Sequence, residues 1–470
     1  MKTRFCPSPT GLIHLGNART ALFSALIAQQ HPQGQFLLRI EDTDLARSKA
    51  EYSDAVQQDL AWLGIQWQEG PGIGGPNSPY FQSQRQAIYH QYYEQLITHG
   101  FAYPCFCSEH QLAITRKVQR AAGKPPRYPG TCRHLSASDI AIKQQQITPT
   151  LRFRLPENTL VEFKDRVKGL QQFNTHDIGD FIIRRADGMA SFMYCNAIDD
   201  ALMGVTLVVR GEDHLTNTPR QIMILKALQL PIPEYAHIAL IVGYDGSPLS
   251  KRHGSQSIQQ LRDSGYLSKA LTNYMARVGH SYETTELMDF TDLAKNFNQQ
   301  HLGTSASRFD IAQLRYWQKQ AVHALDEAQF WSWVGSDITG QVPTTVRSLM
   351  FATIRDNVLF PNEVAAWIAC LQAPEITYHE TIVKLLQEAG ASFFIEARDF
   401  VLSHGADFGM IAAHLTQTLG VKGKALFMPL RAALTGQVHG PEMKNIVQLL
   451  GQKLTLARFD HAIQTVNSVC

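Results

Sequence analysis

The amino-terminal stretch constrains the fold more than any other part of the chain. Lys2 to Cys6 reads as a short strand, Pro7-Ser8-Pro9-Thr10-Gly11 as a turn, and Ala18, Ala21, Leu22, Ala25 and Leu26 recur at helical spacing over residues 17–29, which predicts a helix with one apolar face. A second strand, Phe36-Leu37-Leu38-Arg39-Ile40, runs into Glu41-Asp42-Thr43-Asp44. Strand, helix and strand in such close succession make a βαβ unit, and a parallel sheet built from such units binds ligands at the carboxyl ends of its strands. Ser8 and Glu41 both fall at such ends.

The 470 residues exceed what one ordinary core organises, so several domains are expected. Ser83 to His99 reads as a helix, with Ser83 and Gln86 as a capping box and Gly100 as its stop. A cysteine-rich stretch follows, residues 150–166 alternate like strands, and the β-branched run 205–209 leads into Arg210-Gly211-Glu212-Asp213-His214. Half a sheet, an insertion and the other half explain this order. Helical patterns dominate beyond about residue 255, notably at 310–321, 364–371 and 443–450. The expected fold class is therefore α/β, a Rossmann-like parallel-sheet domain with an inserted α/β module, followed by an all-α carboxyl-terminal half. The boundaries expected are 1–101 and 191–245 for the two sheet halves, 102–190 for the insertion, 246–320 for a connecting region, and 321–470 for the helical part.

A hydrophobic share of 44% and a charged share of 18% mark a globular chain. There is neither a leader-like apolar stretch behind Met1 nor an apolar run long enough to span a bilayer, so a cytoplasmic protein without membrane contact is expected. A net charge of +2 offers no global field for nucleic acid, which leaves local patches. Arg116, Lys117, Arg120, Lys124, Arg127 and Arg133 form one, with no acid between Glu109 and Asp139. Seven cysteines in a clustered spacing argue against a disulfide framework, and Cys6, Cys195, Cys370 and Cys470 read as isolated thiols.

Two motifs speak of phosphate. His14-Leu15-Gly16-Asn17 places a His and a Gly at a helix amino terminus, where unpaired N–H groups attract anions. Gly246-Ser247-Pro248-Leu249-Ser250-Lys251-Arg252-His253-Gly254 is a cationic loop suited to closing on a polyphosphate. Each alone fits an ordinary surface loop equally well.

Together, and in order with Arg4-Phe5-Cys6-Pro7-Ser8-Pro9-Thr10-Gly11, Arg39-Ile40-Glu41-Asp42-Thr43-Asp44 and Arg210-Gly211-Glu212-Asp213-His214, they resemble the bacterial glutamyl-tRNA synthetases, a class I aminoacyl-tRNA synthetase family. The resemblance extends to Gly423-Lys424-Ala425-Leu426-Phe427-Met428-Pro429-Leu430-Arg431 and Thr435-Gly436 near the end. It implies that ATP, with Mg2+, and L-glutamate form glutamyl-adenylate, and that the acyl group moves to the 3'-terminal ribose of tRNA(Glu), with tRNA(Gln) as a further acceptor to be tested. It also implies roles for single residues. Arg4 would fork onto the substrate side-chain carboxylate with help from Arg210. Ser8 and Glu41 would hold the α-amino end beside Phe192, while His14, Gly16, Asp213 and Lys251 would meet ATP. Residues 102–190 would grip the acceptor stem, 246–320 would contact the tRNA stem, and 321–470 would read the anticodon.

Two positions depart from the family pattern. Pro248 stands where the loop commonly begins with Lys, and Phe192 stands where relatives often carry Tyr ahead of a strand leading to Asp199-Asp200. A lost substrate hydrogen bond is worth about 1 kcal/mol, and whether Tyr194 compensates is open. The third constellation, Cys105-Phe106-Cys107 with Cys132-Arg133-His134, supplies three thiols and an imidazole suited to a structural tetrahedral zinc. The basic patch would then sit on the metal-pinned loop, facing tRNA phosphates. Rival readings are a second, specialised copy charging tRNA(Gln), a nucleotidyltransferase that touches no RNA, and a non-catalytic RNA-binding relative. No recurring apolar seam marks an oligomer, so a monomer is expected.

Overall fold

The structure is a computed structural model describing residues 1–247, 249 and 256–468. It divides into two compact units, one of residues 1–263 with 268–311, the other of residues 264–267 with 312–470.

The first unit is α/β. Strand β1 (Lys2–Phe5), helix α1 (Leu15–Gln29) and strand β2 (Gln35–Leu38) form the βαβ unit, with β1 and β2 parallel and Arg4 in register with Leu37. The helix differs from the single apolar face expected. Leu15, Ala18, Ala21, Leu22, Phe23, Ala25, Leu26, Ile27 and Ala28 are all buried, because small residues let neighbours close around the whole cylinder, and a helix apolar all round is a central one.

Helix α2 spans Ala50–Trp62 and α3 spans Gln86–Thr98. A single 3-10 turn, Gln82–Arg85, precedes α3, so the capping box expected of Ser83 and Gln86 is absent. The Ser83 N–H and hydroxyl instead donate to Asp42, at 2.8 and 2.6 Å, fastening this turn to the segment after β2. A distant carboxylate outcompetes the local cap.

Strand β3 (Ala102–Cys105), helices α4 (Glu109–Ala121) and α5 (Ala137–Gln144), strands β4 (Thr150–Phe153), β5 (Leu160–Asp165) and β6 (Gly169–Asn174), the single turn α6 (Thr175–Ile178) and β7 (Phe181–Arg184) follow. β3, β4 and β7 make a small antiparallel sheet, while β5 and β6 form a hairpin whose β5 pairs at Asp165 with Tyr235. Then come α7 (Phe192–Leu202), β8 (Leu207–Gly211), α8 (Thr218–Ala227), β9 (Glu234–Ile238), β10 (Ile241–Val242) and β11 (Ser307–Arg308). β8 and β9 are parallel, with Arg210 opposite His237, and the Thr206 N–H donates to the Lys2 carbonyl at 2.9 Å, setting β8 alongside β1.

The second unit is helical, from Glu327–Val334 to the long Met443–Asn467, which kinks at Gly451, where φ is +63°. Phe330, Leu386, Phe394, Leu430 and Phe459 fill its core. Arg458 is fully buried there without a carboxylate: its guanidinium donates to the carbonyls of Leu434 (2.6 Å), Ala373 (2.7 Å) and Cys370. These carbonyls end the helices Pro361–Gln372 and Lys424–Thr435, whose last turns lack N–H partners, so one cation satisfies two negative helix ends. Arg458→Met should therefore lower unfolding stability by about 3 kcal/mol. Denaturant unfolding of the full chain followed by circular dichroism checks this, and a loss below about 0.5 kcal/mol would contradict it.

Candidate active site

A parallel sheet opens a crevice where successive connections leave a pair of neighbouring strands in opposite directions. Here that pair is β1 and β8, since β1 continues through α1 to β2 and β8 through α8 to β9. Arg4 on β1 and Arg210 on β8 thus reach a common cavity of about 650 Å3. Ser8, His14, Gly16, Glu41, Phe192 and Asp213 line it too. Lys251 lies outside the described residues, with Pro248 and most of its motif; Leu249 is described and lines the cavity.

Backbone bonds hold the turn after β1 in place. The Glu41 N–H donates to the Pro7 carbonyl at 3.0 Å, the Lys49 N–H to that of Pro9 at 3.1 Å, and the Thr10 N–H to that of Ser8 at 2.9 Å. Ser8 and Glu41 are neighbours as a result. Around the corner, His14 is the N-cap of α1 in extended conformation, no acidic residue occupies the first turn, and His14 Nδ1 is buried without a partner. A Cβ on Gly16 would meet no protein atom within 4 Å, so packing does not demand glycine there. This helix end is electropositive, uncapped and open to an anion.

Behind the cavity wall, Arg4 joins a buried charge network whose partners the sequence did not reveal. Asp200 accepts from Arg4 Nε at 3.2 Å and pairs with Arg39 Nη2 at 2.9 Å. Its neighbour Asp199 accepts from Arg85 Nε at 2.7 Å, from Gln82 at 2.9 Å and from the Tyr89 hydroxyl at 2.7 Å, with Arg39 Nε at 3.6 Å. Arg39 and Asp199 are wholly buried. Burial opposes ionisation of Asp200, yet Arg4 and Arg39 hold its carboxyl below the usual range. Glu41 goes the other way, with burial pushing it up to about 7 against the pull of Arg39 and Arg4. Burial, aided by Arg4, draws Arg210 down to about 10, and among the described residues no carboxylate forms an ion pair with it.

Phe192 does not precede a strand, as expected, but opens α7, which carries Asp199 and Asp200. Its ring lies 5.2 Å from that of His214. Tyr194 cannot replace the missing hydroxyl. Two positions along a helix point to opposite sides, and Tyr194 stacks on Tyr93 at 4.3 Å in the core, donating to the Tyr89 carbonyl at 2.8 Å.

Cys105, Cys107 and Cys132 come together, their sulfurs within 4.8 Å of one another. His134, expected as the fourth donor, is exposed and outside this group. The Tyr128 hydroxyl stands beside the thiols, 3.4 Å from Cys105 Sγ and 3.7 Å from Cys107 Sγ, and accepts the Cys132 N–H at 2.8 Å. Of the basic patch, Arg116, Lys117, Arg120 and Lys124 are exposed. Arg133 is spent on Asp180 at 2.6 Å and Arg127 on the His176 carbonyl, so the patch is smaller than its sequence. No helix among the described residues is long and apolar enough to cross a membrane.

Residues 1–316 match the catalytic domain of class I tRNA synthetases of the E and Q type, and residues 348–463 match the anticodon binding domain family. The fold is that of a class I tRNA synthetase. The chain is 54% identical to glutamate--tRNA ligase 2 of Coxiella burnetii (strain RSA 493 / Nine Mile phase I) over 99% of its own length and 100% of that relative's. It is 50% identical to glutamate--tRNA ligase 2 of Nitrosococcus oceani, over 98% of each chain. A glutamate tRNA ligase from Elizabethkingia meningosepticum, solved in complex with its amino acid, superposes with a TM-score of 0.88 at 25% identity, over 99% of both chains. The chain belongs to the glutamate--tRNA ligase family.

Proposed function

We propose that the chain activates L-glutamate with ATP and transfers it to tRNA(Glu), and that the cavity between β1 and β8 is where it does so. The observation that carries this reading is the convergence of two guanidiniums, Arg4 and Arg210, with an uncapped helix end in a single space. Guanidiniums fork onto carboxylates, and a helix amino terminus receives phosphate. Arg4 and Arg210 take the side-chain carboxylate, while Ser8 and Glu41 take the α-ammonium beside Phe192. His14, Gly16 and Asp213 receive ATP, which brings Mg2+ to offset its phosphate charge. The glutamate α-carboxylate oxygen then bonds to the α-phosphorus as the bond to pyrophosphate breaks, with Lys251 stabilising the charge that builds up. The ribose hydroxyl of the tRNA end next displaces AMP.

Residues 102–190 serve as the acceptor-stem module, 246–320 as the stem contact and 321–470 as the anticodon reader. The protein acts as a monomer in the cytoplasm. The three thiols suit a structural zinc, since soft thiolates in a tight group are its preferred donors and the Tyr128 oxygen completes a fourfold set.

Charging assays with purified tRNA(Glu) and tRNA(Gln) side by side test the activity. Transfer of glutamate to tRNA(Glu) is expected, and its absence with both would overturn the proposal; preference for tRNA(Gln) would establish the specialised-copy reading that Phe192 and Pro248 favour.

Glu41 makes the reaction pH-dependent in a definite direction. A carboxyl near 7 is protonated at pH 6 and cannot hold an ammonium, whereas at pH 8 it is ionised. At saturating ATP, kcat/KM for glutamate should fall about tenfold from pH 8 to pH 6. An initial-rate pH profile without an inflection near 7 would count against the assignment. Metal analysis should find about one zinc per chain, lost in Cys107→Ser and kept in His134→Ala; loss in the histidine variant would restore His134 as the ligand.

A further inference from the structure

Arg210 is not free to turn. Its Nε donates to Nε2 of His237, its cross-strand partner on β9, at 3.1 Å, and its Nη2 donates to Thr218 Oγ1 at 2.8 Å. Nη1 is buried and has no partner. His237 is itself fully buried, and its Nδ1 lies 2.6 Å from Asp165 Oδ2 on β5. Asp165 is held by the N–H groups of Val167 at 2.9 Å, Lys168 at 2.8 Å and His237 at 3.2 Å. A carboxylate can only accept, so Nδ1 carries the imidazole proton and Nε2 is left as an acceptor that faces both Arg210 Nε and the Thr218 hydroxyl, the latter also at 3.1 Å. Burial lowers the His237 pKa although Asp165 pulls the other way, which keeps the ring neutral and the acceptor available.

We propose that His237, oriented by Asp165, is a positioning residue that points the unpartnered Nη1 of Arg210 at the side-chain carboxylate of bound glutamate. The inference rests on the reading above that Arg210 contacts that carboxylate. Two of its nitrogens, Nε and Nη2, are engaged by fixed acceptors, so the plane of the guanidinium and the direction of Nη1 are set, and directional precision within a fraction of an ångström decides how well a charged pair forms. Asp165 reaches in from the segment between the two sheet halves, so the inserted stretch helps aim a residue of the amino-acid site.

The test is a double-mutant cycle on the full chain in charging assays with tRNA(Glu), reading KM for glutamate, KM for ATP and kcat, with thermal unfolding alongside. His237→Leu should raise the glutamate KM about tenfold to a hundredfold while the ATP KM and kcat change less than about twofold. His237→Gln, whose amide oxygen stands near the Nε2 position, should recover most of the loss. His237→Asn, too short to reach Arg210, should not. In an Arg210→Met background, His237→Leu should add nothing to the glutamate KM. If Arg210→Met leaves the glutamate KM unchanged, the reading of Arg210 fails. If Arg210→Met raises it but His237→Leu does not, or the two effects multiply, His237 does not act through Arg210 and the inference is overturned. Should His237→Leu fail to fold, the Gln and Asn variants decide, and equal glutamate KM values for both would overturn it.

Discussion

Two adjacent carboxylates under the cavity, Asp199 and Asp200, are the constraint on which the rest of the site depends. They sit on α7, they are buried, and between them they hold Arg4, Arg39 and Arg85. A buried ion pair stabilises little against an apolar alternative, but removing one partner strands a charge, so such a network fixes geometry more than it adds stability. The geometry it fixes is useful. Arg4 comes from β1, Arg39 from the end of β2 and Arg85 from the turn ahead of α3, so one helix determines where three segments meet. The Glu41 N–H bonded to Pro7 and the Ser83 contacts with Asp42 tie the same segments from above.

In this buried network and beside it, guanidiniums outnumber carboxylates. Two carboxylates face three guanidiniums, Arg210 adds a fourth without an ion-pair partner among the described residues, and Glu41 resists ionisation until about pH 7. On the proposed reading, discrimination between glutamate and glutamine arises where Arg4 and the unpartnered Nη1 of Arg210 meet the side-chain carboxylate. Such selection penalises the wrong ligand by leaving buried cations unpaired, which is the stronger form of specificity.

The first βαβ unit was legible because turn-formers and short apolar runs mark where β1, α1 and β2 begin and end, although not that α1 is buried all round, and the cysteine spacing brought three thiols together. What remained hidden depends on partners far apart in sequence. Ser83 looks like a helix cap until Asp42 claims it, and nothing in Cys132-Arg133-His134 says that His134 stands exposed while Tyr128 reaches the thiols. Asp199-Asp200 and Arg39 did carry a signal, charges set in otherwise apolar runs, but nothing local says which cation meets which acid. His237 carried none, since a histidine in a strand becomes informative only when its cross-strand partner proves to be Arg210.

The thiol cluster shows how such a small module can hold its shape. Tyr103, Cys105, Phe106 and Cys132 form a satellite core of their own, while α4 and α5 bury no residue at all. That core is too small to order the loop between the two cysteine groups by apolar burial alone. Its thiols also disagree: hydrogen bonds from Tyr128 and Arg152 bring Cys105 down to about 7 despite burial, whereas burial pushes Cys107 up to about 11. Three sulfurs within 4.8 Å cannot all ionise side by side unless a cation neutralises them. On the proposed reading a divalent ion resolves that conflict and links residues 105–107 to 132, which would tie the folding of this module to metal binding.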